Sequence, residues 1–300
     1  MLGWRLLVSA ILIPAFVFLF YLDLRAGETA PVLFALCLAI AIRSAWELAE
    51  LFRGRAFAPS FVQTGLLSCA VVVSAWIPHL DATRSENSGL LAVTTPMLVF
   101  TLCVLWLLAS NAARYRAPGS RMETLGAEIL IVCYVGVLMC LTAQLRWVAG
   151  AKAGYLVLGS LLVAAKSGDI GGYTLGRLFG RRKMAPLLSP GKTWAGAFGA
   201  LLTSALGAWL WLHFAPPLFD SSWPPSPGLW SVVYGLVIGI IGMIGDLCES
   251  LIKRDLGKKD AASLMPGFGG LLDLTDSVLY AGPVALVLWT ILPLRTWAIG

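Results

Sequence analysis

Long apolar runs separated by short polar breaks dominate this chain. Stretches of about 20 mostly apolar residues recur at roughly 5–23, 31–51, 62–80, 89–111, 126–145, 153–177, 194–214, 228–248 and 277–294. Each is long enough to cross a bilayer as a helix. Backbone groups in lipid must bond within their own segment, and the alternation of a membrane barrel is absent, so these runs read as helices. The expected fold is all-α, a polytopic membrane protein with about nine transmembrane helices. The first run is too long and too uniformly apolar for a secretory leader and lacks a convincing small-residue cleavage site, so it counts as the first span. No internal repeat is evident. The loops at 114–121 and 215–228 are rich in turn residues but do not resemble domain boundaries. A single membrane domain over 1–300 is therefore expected, with N-terminal helices in 1–150 and the chemistry-bearing helices and loops in 151–300.

Composition agrees with the pattern. Hydrophobic residues make up 58% of the 300 and charged residues only 13%, which excludes a soluble domain of this size. The cysteines Cys37, Cys69, Cys103, Cys133, Cys140 and Cys248 are scattered through the apolar runs with no CxxC pair. They read as reduced, buried thiols rather than as a disulfide framework or a zinc site. His79 and His213 lie near span ends, far apart in sequence, and suit interfacial positions. Trp211, Trp223, Trp230 and Trp297 also cluster near span ends, as in an interfacial aromatic belt.

Charge sets an orientation. Alternate loops carry Arg53 and Arg55; Arg114, Arg116 and Arg121; Arg181, Arg182, Lys183 and Lys192; and Lys253, Arg254, Lys258 and Lys259. The opposite loops hold only Arg25, Arg84, Arg146 and Lys152. The positive-inside rule puts the first set in the cytoplasm, with the protein in the inner (cytoplasmic) membrane. Basic loops beside anionic lipid account for the net charge of +6, so no nucleic-acid partner is called for.

One stretch breaks the apolar pattern most sharply: 245–277, GDLCESLIKRDLGKKDAASLMPGFGGLLDLTDS. Ionisable groups at the edge of a membrane cost several kcal/mol unless paired, hydrated or metal-bound. Asp246, Glu249, Ser250 and Lys253 fall at i, i+3, i+4 and i+7, one face of a helix. Carboxylates of this kind suit Mg2+, which takes a few carboxylates together with waters and phosphate oxygens. Lys253 and Arg254 suit phosphates. A solvated helix end with internally paired charges would use the same residues. Pro266, Gly267, Gly269 and Gly270 make a flexible loop leading to Asp273 and Asp276, one turn apart. Helix capping explains one of these aspartates well and two less well. Upstream, Lys166 and Asp169 stand three apart within the sixth span, the spacing of an intrahelical ion pair. The segment SPGKTWAG offers Ser189, Lys192 and Thr193 around Gly191 as a phosphate-gripping turn. It is not a Walker A motif, because Pro186 stands where that motif needs glycine. Acids for a divalent cation and bases for phosphates, on one membrane face, point to nucleotide chemistry on a lipid headgroup.

These segments resemble the integral-membrane phosphatidate cytidylyltransferases. That family's signature runs S-x-hydrophobic-K-R-x4-K-D, then P-x-H-G-G, then D-R-x-D. Ser250, Lys253, Arg254, Lys259, Asp260, Pro266, Gly269, Gly270, Asp273 and Asp276 match it. An upstream segment of the family is matched by Asp169, Tyr173, Gly176, Arg177, Phe179, Gly180, Lys183, Ser189, Pro190, Lys192, Thr193 and Gly196. The resemblance is specific over about 150–283. Phe268, Leu274 and Ala195 depart from it, standing where the family has His, Arg and Glu; Met265 and Gly191 are milder departures.

The resemblance implies CMP transfer from CTP to phosphatidate, giving CDP-diacylglycerol and pyrophosphate for phospholipid synthesis. It implies catalytic Asp246, Asp273, Lys253 and Arg254, and metal-binding Asp246, Asp273, Asp276 and Asp169. Mg2+ is the implied cofactor, with room for a second cation. Substrate contacts fall to Ser189, Lys192, Thr193, Ser250, Lys259, Asp260, Gly269 and Gly270. CTP and phosphatidate in the membrane are the implied partners, and a homodimer is compatible. Three other readings stay open: an altered or inactive relative that binds nucleotide or lipid, a CTP-dependent lipid kinase, and a cation-coupled transporter. The last would place its acids at mid-membrane in paired halves, whereas here they cluster in the second half.

The orientation is testable. Cysteines introduced at 181–192 and 254–268 should react with impermeant reagents from the cytoplasmic side, and those at 215–228 from the other. Cytoplasmic labelling of 215–228 would reverse the orientation.

Overall fold

A computed structural model describes residues 2–55, 57–80, 88–150, 152–262 and 269–295. It is all-α and polytopic, as the hydropathy pattern predicts. The helices are α1 (Leu2–Ala26), α2 (Pro31–Phe52), α3 (Phe61–Leu80), α4 (Ser88–Ala113), α5 (Arg121–Ile131), α6 (Leu138–Ala143), α7 (Gly154–Phe179), α8 (Trp194–Phe214), α9 (Pro216–Phe219), α10 (Gly228–Asp255) and α11 (Leu271–Ile291). A π-helical turn, Val132–Val137, joins α5 to α6 within one span. A short antiparallel hairpin, β1 (Lys183–Ala185) and β2 (Ser189–Thr193), stands between α7 and α8.

The expected count of nine spans is not reproduced. Among the described residues, 7 helices are long and apolar enough to cross a membrane. The other two expected spans do form helices, α1 and α7, but neither is among the 7. In α7 the cause is visible in the sequence: Lys166, Asp169 and Arg177 interrupt a helix already rich in glycine. Two boundaries also lie outside the apolar runs. Helix α10 continues to Asp255 and α11 begins at Leu271. Hydropathy marks the membrane-facing part of a helix and not its polar ends.

The chain forms two compact units: residues 1–143 with 255–275, and residues 144–254 with 276–300. In the first unit, α2 buries Leu33, Cys37, Ala41, Ala45, Leu48 and Phe52, a stripe at helical spacing. Pro31 opens α2, where its missing N–H costs nothing. The first amides are capped from α1, as Asp23 Oδ1 accepts from Val32 N (2.5 Å) and Leu33 N (3.2 Å). Asn111 of α4 donates to the buried Glu128 of α5 at 2.7 Å.

Small residues shape the second unit. Helices α7 and α8 approach through Gly171, Gly172 and Gly176 on one side and Gly196, Gly199 and Ala200 on the other. Close contact of small residues replaces the hydrophobic drive that lipid removes. Hydroxyls add bonds at the same seams: Thr203 Oγ1 donates to Ser167 O (2.7 Å) and Ser204 Oγ to Gly235 O (2.8 Å). Trp289 Nε1 donates to Ser160 Oγ (3.2 Å), which lies 3.0 Å from Tyr234 Oη.

Gly235 shows how little room is left. A Cβ there would fall 2.6 Å from both Ala205 Cα and Ser204 O, which are backbone atoms. Gly235→Ala should therefore lower stability in detergent by about 1–3 kcal/mol, seen as a reduced Tm. Gly126→Ala, where a Cβ meets nothing within 4 Å, should change it little.

Candidate active site

The second unit gathers acids and bases from four elements. On α7, Lys166 Nζ pairs with Asp169 Oδ2 at 2.8 Å, so the i, i+3 ion pair forms as the spacing allows. The same ammonium donates to Ser277 Oγ on α11 at 3.1 Å, and Ser277 Oγ lies 3.4 Å from Asp169 Oδ2. Asp276, the residue before it, is buried and receives the Ser277 backbone amide at 2.5 Å. Asp246 of α10 stands within hydrogen-bonding reach of Asp276. Asp246 also pairs with Lys192 of β2, whose Nζ is 3.1 Å from Oδ2 and donates to Met243 O at 3.3 Å. Lys166 feels both Asp246 and Asp276 electrostatically. The result is a continuous polar path: Lys192, Asp246, Asp276, then Ser277, Asp169 and Lys166.

Local structure explains why Lys192 arrives there. The strand Ser189–Thr193 returns from the hairpin straight into α8. Thr193 is extended (φ −126°, ψ 158°) and buried, and its Oγ1 accepts from Gly196 N at 3.1 Å, which is an N-cap. The segment read as a phosphate-gripping turn is thus a strand and a helix cap. Ser189 pairs across the hairpin with Ala185. Arg254 Nε donates to Leu188 O at 3.1 Å and ties the end of α10 to the hairpin.

The expected helical stripe on α10 is real but divides in two. Asp246 faces Lys192, while Glu249 and Lys253 form a buried ion pair at 2.7 Å. Ser250 is half-buried.

In the first unit, Asp273 Oδ2 accepts two backbone amides, from Gly270 (2.6 Å) and Ala261 (3.0 Å). That is the capping use which the sequence also allowed. Lys259 and Asp260 are exposed. Asp255 is exposed too and lies 3.9 Å from Arg55. Pro266, Gly267, Met265 and Phe268 lie outside the described residues. Sequence reasoning missed Ser277 and Glu47. Glu47 Oε1 accepts from Leu271 N at 3.0 Å and Oε2 from Leu272 N at 2.9 Å. Its one visible signal was an acid at a core position of α2.

The donor set suits a hard divalent cation. Asp246 and Asp276 are close enough for their carboxylates to repel one another, a repulsion that a cation between them would offset. Among the described residues no group of three His, Cys, Asp or Glu side chains could hold a metal by itself. Mg2+ does not require one, since it keeps waters and completes its shell with substrate phosphates.

Comparison with known proteins identifies the family. The sequence matches the cytidylyltransferase family over residues 3–292. The chain belongs to that family. It is similar to a phosphatidate cytidylyltransferase of Haemophilus influenzae, with 28% identity over 94% of this chain and 96% of the relative. A phosphatidate cytidylyltransferase of Mycobacterium leprae is 40% identical over 45% of this chain and 39% of its own length. An Escherichia coli protein named only as uncharacterized protein YnbB is 41% identical over 44% of this chain and 42% of its own length. This family member is therefore a membrane-embedded nucleotidyltransferase.

The Glu249–Lys253 pair makes a distinguishing prediction. Lys253→Met should leave Glu249 buried without that partner and destabilise the protein by about 3–5 kcal/mol. Replacing both, with Glu249→Gln added, should restore much of that loss in a thermal melt. A Lys253 that served substrate phosphates alone would change KM for CTP and leave the melt unchanged.

Proposed function

We propose that the protein transfers CMP from CTP to phosphatidate, forming CDP-diacylglycerol and pyrophosphate, at the cytoplasmic face of the inner membrane. One observation carries the reading: three carboxylates, Asp169, Asp246 and Asp276, share a polar path with Lys166 and Lys192 amid apolar helices. The name that the Haemophilus and Mycobacterium relatives bear supports phosphatidate as the acceptor. The basic loops support the orientation.

In this reading a phosphatidate phosphate oxygen attacks the α-phosphorus of CTP. The bond from that phosphorus to the β-phosphate bridge breaks, and pyrophosphate leaves with the electron pair. The nucleophile is already an oxyanion, so no strong general base is required. Catalysis then rests on positioning and on neutralising charge. Asp246 and Asp276 would hold Mg2+, with Asp169 beside them; Asp273 would act by capping the start of α11, the helix that carries Asp276. When bound, the cation supplies positive charge to the triphosphate and polarises the phosphoryl group. Lys192 is placed to exchange its Asp246 contact for a phosphate oxygen. Lys166 holds Asp169 and Ser277 in place. Arg254 sets the hairpin that carries Ser189 and Lys192.

A second reading is favoured by Phe268, Leu274 and Ala195, which replace groups that the family pattern carries. An inactive relative would keep nucleotide or lipid binding without turnover. Purified protein in detergent, given labelled CTP, phosphatidate and Mg2+, should yield CDP-diacylglycerol. Asp246→Asn should lower turnover on the order of 10²-fold and weaken the Mg2+ dependence. Asp255→Asn should stay near wild type. A folded, metal-binding wild-type protein that makes no CDP-diacylglycerol from any phosphatidate tested would favour the inactive relative, and a phosphorylated lipid product would favour a kinase.

A further inference from the structure

We propose that Glu47 is a positioning residue for this reaction: its carboxylate occupies the N-terminal end of α11 and holds Asp273 and the glycine pair before it in register. The proposal rests on the reading above for what Asp273 and Asp276 do, but not for the contacts themselves.

Glu47 is fully buried on the core face of α2, between Ser44 and Leu48. A carboxylate inside an apolar bundle needs compensation, and three donors supply it here. Leu271 N and Arg43 Nε meet Oε1 at 3.0 and 2.9 Å, and Leu272 N meets Oε2 at 2.9 Å. Arg43 is itself held against the Trp46 ring, 4.3 Å from the centroid. The Leu271 and Leu272 amides open α11 and have no acceptor within the helix. The amide just before them, from Gly270, goes to Asp273. Three consecutive amides are thus filled by two carboxylates of the protein itself.

Two consequences follow from that geometry. A helix N-terminus with open amides is a ready phosphate site. Glu47 already holds this one, so the proposed triphosphate contacts fall to side-chain cations such as Lys192. The glycine pair also acquires a physical reason. A Cβ on Gly270 would run into the Glu47 carboxylate, and one on Gly269 into that of Asp273. Gly269 moreover has φ +87°, where other residues are strained. Both glycines are needed to let the two carboxylates approach the backbone. Their role in this inference is to admit Glu47 and Asp273, rather than to touch substrate.

Hydrogen exchange and kinetics on the full-length protein in detergent test this together. Glu47→Ala should speed exchange of the 269–275 amides by about tenfold or more, with 121–131 unchanged. Glu47→Gln keeps the size of the side chain but can accept fewer bonds, so it should speed exchange less; it also decides the matter if the alanine variant does not fold. Glu47→Gln should lower kcat and raise the Mg2+ concentration needed for half-maximal rate, with KM for CTP changed little. Glu47→Asp should recover part of kcat. Unchanged protection of 269–275 in the variants that fold would overturn the capping role. Faster exchange with wild-type kcat and Mg2+ dependence would reduce Glu47 to a structural cap and overturn positioning. A wild-type protein silent with CTP and phosphatidate, whose Glu47 variants still exchange faster, would fail the proposed reaction while leaving the cap in place.

Discussion

A carboxylate carried into an apolar helix bundle must be met by a cation or by backbone amides, and that requirement organises this protein. A charge near the middle of a membrane helix costs about 2.5–3.5 kcal/mol even on the most lenient scale. Acids among the described residues meet that requirement with backbone amides, with a side-chain amide or with lysines. Asp23 and Glu47 take the first amides of α2 and α11. Glu249 takes Lys253, and Glu128 takes the Asn111 amide. Asp169 and Asp246 take Lys166 and Lys192. The acids thereby divide into two kinds. Asp23 and Glu47, held by backbone amides, fix helix starts, whereas Asp169, Asp246 and Glu249 are held by lysines.

The second kind depends on the way small residues let helices approach. Glycines along α7 and α8 bring their backbones together, and Gly235 seats α10 against α8. Only with that spacing can Lys192, at the end of a short hairpin, reach Asp246 while Asp246 reaches Asp276. Bulkier residues at these seams would separate the carboxylates before touching any charged group. Packing and electrostatics are therefore coupled, and a glycine far from the acids can matter to them.

The departures from the family pattern bear on charge in a particular way. By the motif resemblance, Ala195 replaces an acid and Leu274 a base, so the two changes would remove one charge of each sign. Net charge is preserved while Asp169, Lys192, Asp246, Asp273 and Asp276 all remain.

Hydropathy alone determined that this is an all-α membrane protein, because a backbone in lipid must satisfy its own hydrogen bonds and only long apolar helices do so cheaply. Residue spacing allowed the Lys166–Asp169 pair and put acids and bases along one face of α10, because helical periodicity is a local property. Hydropathy alone missed the polar ends of α10 and α11, since solvated turns extend a helix without extending its apolar run; the spacing of Asp246, Glu249 and Lys253 and of Asp273 and Asp276 supplied them. The division of the α10 stripe, where Lys253 turns to Glu249 while Asp246 turns to Lys192, was not legible. The same holds for Ser277 as the link between α7 and α11, and for Glu47, an acid more than 220 positions from the amides it caps. Those choices belong to tertiary structure, because which donor meets a buried carboxylate depends on which backbones the packing brings within 3 Å, and that distance is not written in any one segment.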